Sequence, residues 1–424
     1  MFKFNLKAFM LKRFPGLIAY QPLYRAVRQI PKSVLEKILW PIRYMPGSSL
    51  TWGPPRGLYK DAVSYNIRNP SKPIIELLLK DEATDTYKLP WSNSRIATSF
   101  FRNNLNTKVV EKRAWFLKEA RYIYGHCGTV ITSDDKIFLP LSPVDFHRTL
   151  KTHQSFYLTK LPKMAIFKKV ILIDTLKADK NNYCHWLRDH ISRFFWLKKL
   201  DIDFSEYTVI ATNGTAGFCE STRESLICGG FNFREWLFTT DFRHFYADEI
   251  IVPPYVNVEL KFGIFDMEEI FFLRGFWLKP NMPIIETYDK IYLSRRNAAR
   301  RYTPAHAELA ERLADYGVKE VFLENMTVFE QATMLNNATL IIGLHGAALI
   351  NLIFCKPGVT VIEIFGADQM VSRFWSIAEK LGLNYYAYCD DEFKGTNPYP
   401  WEHMAPTYIN IDNFFNCFTE LNLL

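Results

Sequence analysis

Short apolar segments alternate with segments of helical periodicity through the second half of the chain. Apolar runs of strand length occupy 290–294, 320–323, 339–343, 359–365 and 385–388. Helical periodicity occupies the intervals between them, at 304–316, 328–336, 347–354 and 370–381. Strands that alternate with helices usually pair in parallel, with the helices covering the faces of the sheet. The pattern therefore predicts a doubly wound domain over residues 286–389.

The first half shows a similar but less regular alternation. Strands are predicted at 129–131, 136–139, 165–173, 207–211, 236–239 and 249–252. Helices are predicted at 109–124 and 182–200, where apolar residues recur at helical spacing. We therefore expect an α/β chain with two Rossmann-like domains facing each other across a cleft, the first over 51–285. The aromatic-rich tail, 390–424, is a candidate to return to the first domain.

Charge separates the beginning of the chain from the rest. Residues 1–50 hold nine Lys or Arg and one acidic residue, which accounts for the whole net charge of +8. A neutral body argues against a nucleic-acid partner, which needs a broad basic face. Residues 1–45 mix these charges with short apolar pieces, which indicates either a patch for an anionic membrane surface or an ordinary surface segment.

The cellular location is predicted from the length of the apolar runs, the absence of a signal pattern and the spacing of the cysteines. No apolar run reaches the length of a spanning helix, and no secretory signal pattern is visible. The seven cysteines are widely spaced without a CxxC pair, which is typical of free thiols in a reducing compartment. We therefore expect a cytoplasmic protein, at most peripheral at the inner face of the cytoplasmic membrane.

The segment 340–351 combines a buried strand, two glycines and the start of a helix. Ligands of open α/β sheets bind at the carboxyl ends of the strands. Gly343 and Gly346 would let a phosphate approach the backbone, and a helix amino terminus offers N–H groups to it. His345 lies in the same turn, where it could donate a hydrogen bond to a phosphate or a sugar hydroxyl. The alternative is a tight turn with a surface histidine.

Two further strand ends carry charge. Arg295, Arg296 and Arg301 follow the strand at 290–294, and guanidinium groups suit a diphosphate. Glu363 stands alone in an apolar strand, where it could accept hydrogen bonds from ribose hydroxyls. A solvated charged turn and a structural salt bridge are the respective alternatives.

A candidate proton acceptor lies in the first half. His185 and Asp189 are four residues apart on a predicted helix, so that the carboxylate could orient the imidazole as a general base. An ordinary ion pair near a helix start is the alternative. Asp201 and Asp203 match a DxD metal motif, but a pattern of three residues is weakly specific.

These segments together resemble glycosyltransferase family 61. The resemblance spans about residues 110–385 and depends on five motifs: Asn182 with His185-Trp-Leu187, Ser294-Arg295, Phe329-Glu330-Gln331, Gly343-Leu-His-Gly-Ala347 with Asn351, and Pro357-Gly358 followed by Glu363. It implies a GT-B fold, a nucleotide-sugar donor held mainly by the second domain, and inversion without an essential metal. It also adds Gln331, Ala347 and Asn351 to the donor-binding residues. Ala305-His306 stands where members often carry an Asn-Glu pair.

The resulting prediction is an inverting glycosyltransferase. His185, assisted by Asp189, would deprotonate an acceptor hydroxyl, while the arginines and His345 stabilise the departing diphosphate. The donor is expected to be a UDP-sugar, and the acceptor a glycan or lipid-linked sugar in bacterial capsule or lipopolysaccharide synthesis. No cofactor is expected. A non-catalytic nucleotide- or glycan-binding module remains open, as does a metal-dependent transferase that uses Asp201 and Asp203.

Overall fold

A computed structural model describes most of the chain from Gly57 onward. The described residues are 57–123, 128–142, 164–173, 183–211, 223, 226–227, 229–238, 244–254, 265–279, 284–298, 301–368, 370–394 and 406–424. The predicted basic head, residues 1–50, lies outside them. Within the described ranges, no helix is both long and apolar enough to cross a membrane.

The strands and helices of the described ranges are numbered in chain order. The strands are β1 Leu58–Tyr59, β2 Ile75–Lys80, β3 Ala83–Thr86, β4 Trp91–Ser92, β5 Asn106–Val109, β6 Lys112–Ile123, β7 Thr129–Ile131, β8 Ile137–Phe138, β9 Met164–Ile173, β10 Thr208–Ala211, β11 Glu235–Phe238, β12 His244–Val252, β13 Lys290–Leu293, β14 Lys319–Val321, β15 Leu340–Leu344, β16 Thr360–Phe365 and β17 Asn384–Cys389. The α-helices are α1 Ala62–Arg68, α2 Arg95–Arg102, α3 Tyr183–Trp186, α4 Arg193–Leu197, α5 Met267–Trp277, α6 His306–Asp315, α7 Val328–Asn337, α8 Arg373–Leu381 and α9 Ile411–Glu420.

The second half forms a parallel sheet, as predicted. Its strand order is β14-β13-β15-β16-β17-β4, and every neighbouring pair is parallel. Counted from β13, the first five strands have the 2-1-3-4-5 order of a doubly wound fold. In that order the chain reverses direction across the sheet between β13 and β15, which opens a crevice at their carboxyl ends.

The first sheet is mixed rather than parallel, which corrects the prediction for this half. Among the described strands its order is β1-β8-β7-β6-β12-β9-β10-β11, with β2 also paired to β6. The strands β12, β9, β10 and β11 are parallel, whereas β6 is antiparallel to β2, β7 and β12. β6 replaces the helix predicted at 109–124. Its Lys, Arg and Glu residues favour a helix, but pairing along both edges of the strand overrides this local preference.

Two segments lie on the second sheet although the sequence places them elsewhere. β4, from the predicted first domain, pairs with β17, and Phe101 of α2 packs on Trp375 of α8 with ring centroids 5.0 Å apart. The tail helix α9 also covers the second sheet, since Phe414 packs on Tyr388 of β17 at 5.1 Å. The tail, a candidate to return to the first domain, lies on the second sheet and contacts the predicted first domain at β4, where Phe418 packs on Trp91 at 5.5 Å.

The two sheets share a buried core. One apolar cluster contains Ile171 of β9 and Ile291 of β13, together with side chains of the helices α3, α4, α5, α7 and α8. These helices therefore join the two sheets through a continuous apolar contact. The GT-B arrangement, with two domains separated by a cleft, stays a prediction.

Candidate functional site

The carboxyl ends of β13 and β15 bring Arg295 and Gly346 into contact. Leu293 and Gly343 are paired across the two strands, so the loops that follow them are neighbours. The Arg295 guanidinium lies directly over Gly346, and a Cβ built on that glycine would be 2.1 Å from Nη1. Gly346 therefore accommodates an arginine side chain, where the sequence suggested room for a phosphate against the backbone. The cation itself occupies the crevice at which ligands of such folds bind.

Positive charge is concentrated at this crevice. Arg295 is partly buried, and its Nε donates to the carbonyl of Arg301 at 3.2 Å. Burial, and then the charge of Arg301, lower the pKa of Arg295 to about 10. Arg301 has a left-handed backbone, with φ of 52°, which turns the chain back toward Arg295. Two guanidinium groups held this close disfavour each other, and a bound anion would offset their repulsion.

Arg296, also predicted for the donor site, differs from its neighbour because a carboxylate already engages it. Its side chain is exposed, and Nη2 donates to Glu320 Oε2 at 3.0 Å. The hydroxyl of Ser294 donates to the other oxygen of Glu320 at 2.7 Å. Glu320 belongs to β14, so this ion pair directs Arg296 along the sheet and away from β15.

The ring of His345 is held by the buried carboxylate of Glu363. Its Nδ1 pairs with Glu363 Oε1, and the hydroxyl of Tyr385 donates to Oε2. The imidazole also stacks on Phe365, with ring centroids 5.3 Å apart. Burial, together with the charges of Arg301 and Arg373, lowers the pKa of His345 against the opposing effect of Glu363.

This geometry changes the role expected for Glu363. The side chain is 0% exposed, and each of its oxygens already has a partner. A ribose contact would require the carboxylate of Glu363 to become accessible from the crevice. The carboxylate is instead placed to orient the His345 ring through its hydrogen bond with Nδ1.

Gly343, Asn351 and Gln331 are all buried in the structure. A Cβ on Gly343 would lie 3.5 Å from Leu293 Cβ, which is ordinary van der Waals contact, so the packing at this position does not require glycine. Asn351 is fully buried, and its Nδ2 donates to Gln331 Oε1 at 2.9 Å. Direct donor contacts from these buried side chains are therefore not supported. Ala347 begins the 3₁₀ helix Ala347–Phe354 and is partly exposed beside Gly346.

His185 and Asp189 form the predicted pair, with an arginine that sequence reasoning missed. His185 Nδ1 lies 2.7 Å from Asp189 Oδ2, and Arg188 Nη2 lies 2.7 Å from the same oxygen. The chain makes a π-helical turn at Leu187–Ile191 between α3 and α4, a rare conformation that is frequent at functional sites. His185 is three residues before Arg188 and four before Asp189, and these spacings place side chains on one side of a helix.

Arg188 decides the charge of this cluster. Burial alone would raise the pKa of Asp189, but the charge of Arg188 and the hydrogen bonds from His185 and Arg188 hold it well below its usual range. The carboxylate is therefore ionised, and it accepts a hydrogen bond when Nδ1 of His185 carries the proton, although Arg188 Nη2 competes for the same nitrogen at 2.9 Å. In that tautomer Nε2 carries the lone pair, as a general base requires.

The two clusters lie near each other. The hydroxyl of Tyr183, two residues before His185, donates to Asn351 Oδ1 at 2.7 Å. The buried thiol of Cys184 has its pKa raised by burial, while the charges of Arg373, Arg188 and Arg301 act in the opposite direction. The charges of arginines from both halves therefore act on the thiol of Cys184, which is next to His185 in the sequence. Arg373 begins α8 and carries no motif that could have identified it.

The DxD pair has a structural explanation in part. Asp203 Oδ1 accepts hydrogen bonds from the Ser205 amide at 2.9 Å and from its hydroxyl at 2.7 Å, which caps the 3₁₀ turn Phe204–Glu206. Within the described ranges, no group of three or more His, Cys, Asp or Glu side chains is placed to hold a metal ion. A reaction without an essential metal remains a prediction.

Comparison with known proteins adds an independent observation. Residues 183–362 match the family model Glycosyltransferase 61. A segment of 65 residues is 34% identical to the Beta-1,2-xylosyltransferase of Arabidopsis thaliana, over 15% of this chain and 12% of that protein. The family match begins at the first residue of α3 and ends within β16, so it includes His185, Arg295 and His345. The chain is therefore similar to glycosyltransferases over the segment that contains both clusters.

Proposed function

We propose that the protein is an inverting glycosyltransferase that uses a nucleotide-sugar donor. The observation that carries this proposal is the Arg295 guanidinium against Gly346, at the strand-order reversal of the parallel sheet. That place binds ligands in doubly wound folds, and the group present there suits a diphosphate. A histidine and carboxylate pair nearby supplies the base that transfer to a hydroxyl requires.

The donor diphosphate would lie at the carboxyl ends of β13 and β15. Arg295 and Arg301 would meet its negative charge. Glu363 holds the Nδ1–H of His345, so the Nε2 lone pair would accept a hydrogen bond from a sugar hydroxyl of the donor. Charge on the diphosphate increases as its bond to the sugar breaks. Preorganised cations stabilise that charge most strongly in the transition state, which lowers the barrier.

The acceptor would approach from the side of α3. His185 Nε2 takes the proton of the acceptor hydroxyl while the oxygen forms its bond to the anomeric carbon. The bond between that carbon and the diphosphate oxygen breaks, and the electron pair leaves with the nucleotide diphosphate. Attack from the face opposite the leaving group inverts the anomeric configuration.

The finer assignments are also proposals. A UDP-sugar donor, and a glycan or lipid-linked acceptor of a surface polysaccharide, are supported by the resemblance to family 61. A hexosyl and a pentosyl group are both compatible with it, and the similarity to a xylosyltransferase places a pentosyl donor among those to test. Peripheral attachment at the inner face of the cytoplasmic membrane is supported by the charge of residues 1–50.

Thermal stability with nucleotides tests the donor site. The protein is heated with UDP, GDP, CMP or ADP, each with and without a chelator. A nucleotide present at about 100 times its Kd should stabilise the fold by about 2.7 kcal/mol. A shift with one nucleoside diphosphate that survives the chelator supports the proposal, and a shift that needs a divalent cation favours the metal-dependent alternative.

Turnover tests the reaction itself. Nucleotide sugars, including a pentosyl donor, are incubated with glycan and lipid-linked acceptors, and the product anomer is assigned by NMR coupling constants. Product of the opposite anomeric configuration to the donor is expected. Nucleotide binding without any transfer would instead favour the non-catalytic binding module.

A further inference from the structure

A chain of hydrogen bonds crosses from the helix that carries the base to the 3₁₀ helix that follows Gly346, the residue against which Arg295 lies. Tyr183 begins α3, two residues before His185, and its hydroxyl lies 2.7 Å from Asn351 Oδ1. Asn351 belongs to the 3₁₀ helix that begins at Ala347, directly after Gly346. One contact therefore joins the elements on which both halves of the proposed site are built.

The backbone carbonyls at the end of this series of hydrogen bonds determine the direction of every bond in it. Gln331 Nε2 donates to the carbonyls of Leu323 and Met326 at 3.0 and 3.1 Å, and carbonyls can only accept. The Gln331 oxygen must therefore face Asn351 Nδ2, at 2.9 Å. Asn351 Oδ1 is then directed at Tyr183, whose hydroxyl must donate.

The surroundings make this arrangement stiff. Asn351 is 0% exposed and Gln331 is 3% exposed, so neither can exchange its partner for water. Burial raises the pKa of Tyr183, which keeps its hydroxyl protonated as a donor. The Tyr183 ring stacks on Trp186 at 5.7 Å, and Trp186 packs on Trp277 of α5 at 6.0 Å. Satisfied buried networks of this kind specify a single geometry.

We propose that Tyr183 is a positioning residue, which sets the placement of His185 relative to the donor loop through its hydrogen bond to Asn351. This inference rests on the proposed function. It assigns Tyr183 no contact with substrate. A displacement of about 1 Å between base and donor is enough to reduce turnover by about 100-fold, because the reacting atoms need a near-attack geometry.

Tyr183→Phe tests the proposal, since it removes only the hydroxyl. We expect kcat for transfer to fall about 10- to 100-fold, with the Kd for the nucleotide unchanged. Hydrolysis of the nucleotide sugar by water, which does not need an aligned acceptor, should be retained, so the ratio of transfer to hydrolysis falls. A role in stability alone would lower Tm and leave that ratio unchanged. Tyr207→Phe is the matched control, because its hydroxyl donates to Glu249 within the first sheet.

Asn351→Ala breaks the same bond from the other side and serves if the first variant does not fold. In a double-mutant cycle on kcat, the two substitutions together should cost little more than either alone, because they act through one bond. Additive effects, or unchanged transfer in Tyr183→Phe, would overturn the proposal, and so would loss of nucleotide binding in that variant. If the wild-type protein neither binds nor turns over a nucleotide sugar, the proposed function fails and this inference with it.

Discussion

The donor side and the base side of the site handle charge in opposite ways. On the donor side, Arg295 and Arg301 lie together at the ends of parallel strands, and each makes the charge of the other less favourable. On the base side, Arg188 lies against Asp189, and the two charges offset each other. A crevice with excess positive charge is suited to hold an anion, whereas a neutralised cluster is suited to move a proton. The comparison predicts that variants on the two sides will fail in different measurements.

His185→Ala should give the largest effect on turnover. Loss of a general base is expected to reduce kcat by about 10²- to 10⁴-fold, because the acceptor hydroxyl is no longer deprotonated in the transition state. Nucleotide binding should be retained, as measured by calorimetric titration with UDP. Full turnover in this variant would remove His185 from the mechanism and leave the base side without a function.

Asp189→Asn should give the largest effect on stability. The substitution leaves Arg188 charged and buried without its carboxylate, which typically destabilises a fold by about 3–5 kcal/mol. Denaturant unfolding at pH 7 measures this loss. A stability equal to the wild-type value would mean that the ion pair does not hold the π-helical turn.

The same pair predicts a pH dependence with a definite sign. The folded-state pKa of Asp189 is held below its ordinary value, so its contribution is fully present above about pH 4. It is lost as the pH falls further and the carboxylate becomes protonated. The difference in unfolding free energy between the wild type and Asp189→Asn should therefore narrow in acid.

Arg295→Ala and Arg296→Ala form a matched pair of neighbouring substitutions. Loss of Arg295 should weaken nucleoside diphosphate binding by about 1.5–3 kcal/mol, the usual contribution of a charged hydrogen bond. Loss of Arg296 should leave binding unchanged, because its side chain is exposed and paired with Glu320. Calorimetric titration of a nucleoside diphosphate into each variant measures the two affinities. Equal losses of affinity would contradict a specific role in binding for the arginine that lies against Gly346.

Tyr385→Phe should give a smaller loss of stability than Asp189→Asn. It removes one partner of Glu363 but leaves His345 in contact with the carboxylate, so the expected loss is about 1.5–3 kcal/mol, the usual contribution of a hydrogen bond to a charged group. Tyr386→Phe, on the opposite face of β17, is the control for loss of a tyrosine hydroxyl. A loss in both variants of the same size would argue against a specific role for the hydrogen bond between Tyr385 and Glu363.

The second sheet shows how much of a fold a regular pattern can predict. Each of its strands from β13 to β17 lies within two residues of the predicted run, because buried parallel strands are short, apolar and separated by amphipathic helices. In the first sheet, β6 was predicted as a helix. β6 pairs with β2 along one edge and with β12 along the other. Both partners are far from β6 in the sequence, so local preferences cannot predict these pairings.

The candidate site divides in the same way. His185, Asp189, Arg295 and His345 were predicted and lie in or near the proposed crevice. Arg296, Gln331, Asn351 and Glu363 have the residue types of a ligand site, but they are engaged by other protein groups. A sequence shows which side chains could bind a ligand, and it does not show which partners the fold has already provided for them.

The sequence by itself determined the parallel half of the fold, the concentration of charge in residues 1–50, and the two segments that form the proposed site. Each of these depends on local composition or spacing. Only the tertiary structure decided the strand partners of β6, which of the two sheets α9 covers, and which of two adjacent arginines lies over Gly346. These depend on contacts between distant segments, where burial and pairing outweigh local preference.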